Sequence, residues 1–417
     1  MTSELDLLVV GGGPAGMMAG LLFARAGCRV QVFEKHADFL RDFRGDTVHP
    51  STMEILDQLG MLERFLKRPH SEIRRADLRL EGREWRIADF SRLRTKTPFV
   101  AMMPQWDFLD FVRDEALAYP GFELAMSTPV ESFIERDGRI AGVRLEDGRE
   151  IAARLTIAAD GRTSIARELL PVETLSAPID VLWFRVAKEK SKEASLRFSI
   201  GGGAIIVLMD RDTYWQCAFV IPKGEAEKLT ASGIAPIRER LEAAAPDLDL
   251  RELDDVSDLK LLTVKIDRMT SWHNPGLLAI GDAAHAMSPV GGVGINLAVQ
   301  DAVAAANILA ASLAEGSEVD HLLGQIQLRR LFPTRFIQRA QMIIQNRIIW
   351  PMLRQGDRIR RPPLVARLFD RFPPLRSIPG RLMGLGVRRE RVRSPEVPRR
   401  PSQLRDSSRS PRRTARS

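Results

Sequence analysis

The stretch that most limits the fold runs from Leu5 to Lys35. A mostly apolar run, Leu5 to Val10, delivers Gly11-Gly12-Gly13-Pro14-Ala15-Gly16. A helical pattern follows to Ala26, and Gly27 stands where a C-terminal cap belongs. Cys28 to Phe33 then reads as a second strand, ending at Glu34-Lys35. Strand, glycine turn, helix and strand in this order commit the chain to a parallel sheet. The spacing also carries chemistry. Gly11 allows the tight turn, Gly13 lets a pyrophosphate approach the backbone, and Gly16 lets helix and strand pack closely. The helix N-terminus at Pro14-Ala15 presents free N–H groups and positive dipole to phosphates. Glu34, eighteen residues after Gly16, is placed to accept from ribose hydroxyls. An acid there suits a free 2′-hydroxyl and argues against a 2′-phosphate.

Two later motifs have the same grammar. In Leu155 to Arg167, LTIAADGRTSIAR, a buried strand brings Asp160-Gly161 to its carboxyl end, with Ser164 and Arg167 opening a helix. Ligands bind at such strand ends in open α/β sheets. A strand-to-helix turn with a capping Asp is the competing reading. In Leu277 to Ala302, a short strand ends in Gly281-Asp282, whose carboxylate can accept from a polyol chain. Pro289-Val290-Gly291-Gly292-Val293-Gly294 then forms a bare loop before a long alanine-rich helix that starts at Gly294-Ile295-Asn296. A flat ring can lie against such a loop, and the helix N-terminus can stabilise negative charge on it.

Composition narrows the class. The chain has 417 residues, enough for two to three domains, and a net charge of +8. Between Arg388 and Ser417, eleven arginines face three acids, a surplus equal to the whole excess. The body is therefore neutral, and nucleic-acid or anionic-membrane binding is not expected of it. The tail, rich in Ser and Pro, reads as disordered. Cys28 and Cys217 make neither a C-x-x-C pair nor a metal site, which suggests a reducing, cytoplasmic setting. The longest apolar run is broken by Gly and Pro and is preceded by acids, so neither a membrane span nor an export signal is expected.

Further along, a helix is expected over about Pro50 to Leu59 and a hairpin from Ala76 to Phe90. A helix from about Gln105 precedes a meander turning at Asp137-Gly138 and Asp147-Gly148. Ile179 to Ile221 alternates like an antiparallel sheet with a Gly201-Gly202-Gly203 turn, and a helix follows near Ile237 to Ala245. His321 to Leu385 reads as arginine-rich helices with solvated faces, interrupted at Pro351, Pro362-Pro363 and Pro373-Pro374.

Together, the three glycine motifs resemble those of the FAD-dependent aromatic hydroxylases, the single-component flavoprotein monooxygenases of the p-hydroxybenzoate hydroxylase type. The resemblance covers about Leu5 to Leu385. It implies an α/β fold: a Rossmann-like FAD-binding domain with a parallel sheet and β meander, an inserted antiparallel substrate sheet, and a C-terminal helical segment. The expected division is 1–72, 98–176 and 266–316 for FAD, 73–97 and 177–265 for substrate, 317–387 for the helices, and 388–417 for the basic tail. The resemblance implies that Gly11, Gly13, Pro14, Ala15, Gly16, Glu34 and Lys35 hold the ADP half of FAD. Asp160 would serve FAD or NAD(P)H, and Gly281-Asp282 the ribityl chain. Pro289, Gly291, Gly292, Gly294, Ile295 and Asn296 would cup the isoalloxazine, with Arg44 and Gln105 nearby. The substrate sheet would roof the pocket.

The implied reaction is NADH- or NADPH-driven hydroxylation, by O2 and a flavin C4a-hydroperoxide, of an aromatic or polyketide-like small molecule, without a metal. A monomer or homodimer is expected. A second nucleotide-binding unit is absent from the sequence, which disfavours disulfide reductases, and so is W-x-W-x-I-P, which disfavours halogenases. Two alternatives stay open: a reductase or dehydrogenase acting on isoprenoid double bonds, and a redox sensor with an anion-binding tail. No catalytic side chain stands out. His285 reads as structural, His49 as a cap or surface residue, and the cysteines as small buried hydrophobes. Tyr119 falls in a turn, while Trp183, Tyr214 and Trp215 lie on the substrate sheet, where one of them would line the pocket.

Overall fold

The structure is a computed structural model, in which residues 4–40, 46–80, 82–188, 194–355 and 364–400 are described. Strand Leu5–Val10 lies inside an eight-stranded sheet, parallel to Val30–Phe33 on one side and Glu150–Ala158 on the other. Phe122–Ala125 and Leu277–Ala279 extend the parallel run at either side. The apolar, β-branched strands suit this place because both faces are covered. One face carries helices Pro14–Arg25, Gln105–Ala116 and Gly294–Ala314, packed through Met17, Leu21, Phe108, Val299 and Val303. The other face meets the meander, where Leu8, Val10 and Phe33 bury Val143 and Leu145. Its turns fall at the two Asp-Gly pairs, with Asp137 and Gly138 both at positive φ. Helix Gly294–Ala314 is long and apolar enough to cross a membrane, yet most of it is buried in this core.

The second layer is a seven-stranded sheet built from 75–89, 179–187, 196–222 and 260–262. Alternation divides its side chains. Leu182, Phe184, Ile206 and Phe219 pack under helix Ala235–Ala244. Val181, Met209 and Ala218 face the first layer. The sheet is not wholly antiparallel: Leu196–Gly201 runs parallel to Arg75–Leu80. The hairpin Arg75–Asp89 arrives from an earlier, remote part of the chain, so the hairpin rule that fixes antiparallel neighbours does not bind it.

Two C-terminal expectations are corrected. Pro351 does not interrupt the helical path. Helix Leu323–Ile344 passes through a π turn, Gln345–Ile349, into Trp350–Gln355. The wider turn puts the Trp350 N–H on the Gln345 carbonyl, giving the proline ring room where an α turn would clash. Pro362-Pro363 lies outside the described residues.

The tail is not disordered from Arg388 onward. Residues 388–400 lie along the body, because their two acids find arginines. Glu390 is buried and accepts from Arg329 Nε at 2.8 Å. Glu396 accepts from Arg25 Nη2 at 2.8 Å and from the Tyr119 hydroxyl at 3.0 Å. Arg25 Nη1 donates to the Ser394 and Pro395 carbonyls, and the Val397 N–H donates to the Arg25 carbonyl. Residues 401–417 lie outside the described set.

Candidate functional site

The first glycine turn is built by close approach. A Cβ on Gly16 would lie 1.9 Å from the Gly11 carbonyl oxygen. One on Gly11, at φ +101°, would lie 2.6 Å from the Ala159 oxygen. Only glycine permits this crossing of the first strand's end, the helix and the Glu150–Ala158 strand. The helix begins at Pro14 with no side-chain cap and no acid in its first turn. The Ala15 and Gly16 N–H groups therefore remain for an anion. Glu34 is buried at the end of the second strand, accepting from the Gly12 N–H at 2.9 Å and the His36 N–H at 3.0 Å. Lys35 beside it is exposed.

Asp160-Gly161 and Gly281-Asp282 follow neighbouring parallel strands and so emerge side by side. Arg162 joins them, its Nε 3.1 Å from Asp282 Oδ2 and its Nη2 3.1 Å from the Met287 carbonyl. Asp160 Oδ2 accepts from the Ile165 N–H, but Oδ1 is buried with no partner among the described residues. Burial raises the Asp160 pKa, opposed by hydrogen bonds from Ser164 and Ile165. The segment after Asp160 forms two short 3-10 turns, not the regular helix expected.

In the third motif, Gly292 closes a turn onto the Pro289 carbonyl, and its own carbonyl accepts from Thr47 Oγ1 at 2.8 Å. Gly292 sits at φ +61°, where a Cβ would come within 2.5 Å of that hydroxyl. Asn296 stands in the first turn of the helix that follows. Its side chain is used internally, accepting from the His49 N–H at 3.0 Å and Thr52 Oγ1 at 2.7 Å, and donating to the Gly292 carbonyl. What Ile295 and Asn296 offer a ligand is backbone N–H, since this helix end has no side-chain cap. Gln105 opens helix Gln105–Ala116. Arg44 lies outside the described residues.

These parts fit FAD: an uncapped helix start beside an acid, an orphaned carboxylate oxygen at the sheet's switch point, and a glycine loop ahead of a second helix start. A family model described as FAD binding domain matches residues 4–340. The chain belongs to the FAD-dependent aromatic hydroxylase family. It is 32% identical over 401 residues to the 6-methylpretetramide 4-monooxygenase of Streptomyces rimosus, covering 94% of this chain and 95% of that one. It is 28% identical to a rifampicin monooxygenase of Streptomyces venezuelae across 71% of this chain, but spans only 62% of that longer protein. The crystal structure of PqsL, a probable FAD-dependent monooxygenase from Pseudomonas aeruginosa, shares the fold, with a TM-score of 0.72 and 22% identity. That match covers 82% of this chain and 96% of the other.

In this hydroxylase-family chain, several supporting residues escaped the motif reading. Asp301, fully buried on the long helix, accepts from the Gly281 N–H at 3.1 Å and from His285 Nε2 at 2.6 Å. His285 is thus structural, as expected. His49 is not a surface residue: it is buried, its Nδ1 sits 2.7 Å from the Met383 carbonyl, and burial lowers its pKa to about 4. Arg330, expected on a solvated helix face, is fully buried against Asp301. Three glutamines at i, i+3 and i+7 of the same helical path hold the loop that leads to Pro289. Gln338 donates to the Ala286 carbonyl, Gln341 to the Ser288 and Val290 carbonyls, and Gln345 to Ser288 Oγ. Their spacing on one helix face was a readable signal, but buried glutamines carry no motif.

The seven-stranded sheet meets the first layer through polar and apolar contacts. Arg211 reaches Asp46 with Nη2, and its Nε and Nη2 lie 2.8 and 2.7 Å from Gln216 Oε1. Burial pushes the Asp46 pKa up, and Arg211 and Gln216 oppose that shift. Beside them, Trp183, Val207 and Met209 of the sheet share an apolar cluster with Met102, Met342 and Met383 from the facing layer. Trp215 points to the other side, stacked under Lys188 Nζ at 4.6 Å. Cys28 and Cys217 are buried, which pushes the Cys28 thiol up to about 12 and raises Cys217 further.

Proposed function

We propose that this monooxygenase uses NAD(P)H and O2 to hydroxylate a small aromatic or polyketide-derived ring between the Pro289–Gly294 loop and the seven-stranded sheet. Bound FAD supplies the redox chemistry, accepting a hydride and activating O2. The observation that carries the reading is the juxtaposition of that loop, with its uncapped helix start, and an apolar sheet face, where Val290 packs with Ile179, Ile205 and Val220. Gly11, Gly13, Ala15, Gly16 and Glu34 would hold the ADP half, with Pro14 setting the helix start and Lys35 at its edge. Asp282 would accept from the ribityl chain, and Asp160 Oδ1 from a further hydroxyl or the nicotinamide donor. The Ile295 and Asn296 N–H groups would stabilise negative charge on the ring system. Met102, Met342 and Met383 would exclude water from the reacting carbon.

The division of the chain into FAD-binding, substrate and C-terminal helical parts belongs to this proposal, as does a cytoplasmic location, which two buried thiols suit. The test is anaerobic reduction of the bound flavin by NADH and by NADPH, followed by absorbance, with and without a panel of phenols and polycyclic phenols. One aromatic should accelerate reduction, and its hydroxylated product should appear only after O2 is admitted. Turnover without O2 would favour the reductase alternative. No reduction by either nucleotide would overturn the proposal.

A further inference from the structure

Helix Leu323–Ile344 reverses the usual division of its faces. Its buried face carries Arg330, Thr334, Gln338 and Gln341 beside Ile326 and Ile337. Its outward face carries Leu328 at 76% and Ile343 at 57% exposure, with Phe332 and Phe336 exposed between them. A surface helix ordinarily buries its apolar stripe and shows its polar one. Large apolar side chains left outward along one row mark a surface that takes a partner. Arg335 and Arg339 stand in the same row, both exposed and in no ion pair among the described residues. The helix itself holds no acid.

The order of the row says what fits it. Its positions run symmetrically about a point between 335 and 336. When a second copy lies antiparallel across a two-fold axis at that point, residues equally far from the axis face each other. Leu328 then meets the partner's Ile343, and Leu331 meets the partner's Ala340. Phe332 meets the partner's Arg339, and Arg335 meets the partner's Phe336. Every aliphatic side chain opposes an aliphatic one, and every guanidinium opposes a ring, which cation–π attraction favours. The Phe332 ring already has the Arg388 guanidinium 4.4 Å from its centroid. Residues 401–417 suit the row less, since five arginines against Asp406 would meet Arg335 and Arg339 with like charge. An anionic partner would satisfy the arginines but gains nothing from the symmetry of the row.

We infer that two copies of this chain associate through the outward faces of Leu323–Ile344, antiparallel, about a two-fold axis between Arg335 and Phe336. The row from Leu328 to Ile343 is about 22 Å long, which puts the contact at the small end of specific interfaces and makes it concentration-dependent. It stands behind Gln338 and Gln341, so pairing braces the helix that holds the loop leading to Pro289. The pairing does not depend on the hydroxylase reading.

The experiment uses the FAD-loaded full chain. Sedimentation velocity across a concentration series should show a monomer–dimer equilibrium. The row brings arginines and no acid to the axis, so added salt should tighten the dimer by screening their repulsion. Phe332→Ala is felt twice in a symmetric contact and should weaken dimerisation about tenfold or more. Leu328→Ser, at a more exposed position, should do the same and decides if the phenylalanine variant fails to fold. Register is read by cross-linking, over a low background because Cys28 and Cys217 are buried. With diamide as the oxidant, two thiols lose two electrons and two protons to it and form one disulfide. The double variant Leu328→Cys/Ile343→Cys should give a disulfide-linked dimer, whereas neither single variant should, since its thiol would face no thiol. The two positions lie about 22 Å apart on one helix, too far for a bridge within a chain. A chain that is monomeric at every concentration would overturn the inference. So would a dimer unmoved by both Phe332→Ala and Leu328→Ser, or single-cysteine variants that cross-link as fully as the double one. A monomer that binds phosphatidylserine vesicles and loses them in Phe332→Ala would assign the face to an anionic surface instead, and would overturn it too.

Discussion

Arg330 Nε donates to Asp301 Oδ1 at 2.8 Å, with neither side chain exposed to solvent. The other oxygen of the same carboxylate takes the Gly281 N–H and His285. Burial alone would raise the Asp301 pKa, but His285 and Arg330 overcome it and hold the group below the usual carboxylate range. One charged side chain thus ties the long core helix to the turn that carries Asp282. Removing one partner of a buried ion pair costs about 3–5 kcal/mol. Asp301→Ala should therefore lower unfolding free energy by about that amount, and it should also weaken FAD binding. Urea unfolding of the apoprotein and titration with FAD measure the two effects separately.

Glu390 and Glu396 offer an internal contrast. The Glu390 side chain is 2% exposed against Arg329 and Arg330, whereas Glu396 is 45% exposed beside Arg25. Glu390→Gln should lower the melting temperature clearly, since it removes a buried carboxylate charge that Arg329 and Arg330 both address. Glu396→Gln should change stability by no more than about 1 kcal/mol. Equal effects in differential scanning calorimetry would show that the 388–400 segment does not act through the buried network.

His49 sets a pH dependence. Its pKa is lowered from 6.5 to about 4 in the folded protein, because burial disfavours the imidazolium. The unfolded chain therefore binds the proton more readily between those values, and stability rises with pH across that window. The contribution is fully present above about pH 6.5 and is lost as pH falls toward 4. It amounts to about 3 kcal/mol at full extent. His49→Gln should flatten the slope of unfolding free energy against pH between 4 and 6.5. An unchanged slope would assign it to other groups.

Asp282→Ala should loosen FAD. The carboxylate stands at the carboxyl end of its strand with Arg162 on Oδ2. Losing a hydrogen bond to a charged group weakens binding by about 1.5–3 kcal/mol. Side-by-side dialysis of parent and variant, followed at the flavin absorbance, measures it. Equal retention would remove Asp282 from the proposed site.

Much of this was legible in the sequence for a physical reason. Gly11 and Gly16 must be glycine because backbones cross there, and a constraint on main-chain geometry leaves a fixed spacing. The same holds for the Asp-Gly hairpin turns. The supporting shell was not legible, because it is made by side chains distant in sequence. Asp301 and Arg330 look like ordinary helix residues until the helices pack. Asn296 sits beside the loop as a ligand would, yet its amide is spent on His49 and Thr52. The tail misled for a related reason. Its composition is that of a disordered segment, but two acids at the right places, Glu390 and Glu396, find arginines already fixed in the body.

The contact between Arg25 and Ser394 spans 369 positions of chain. Arg25 closes the first helix, the one that opens at the proposed pyrophosphate turn. During synthesis, therefore, the first helix lacks this fastening until almost the whole described chain has followed it. At translation speeds of about 5–20 residues per second, that interval is on the order of 20–70 seconds. Until then the first helix is held by the apolar packing it makes with helices Gln105–Ala116 and Gly294–Ala314.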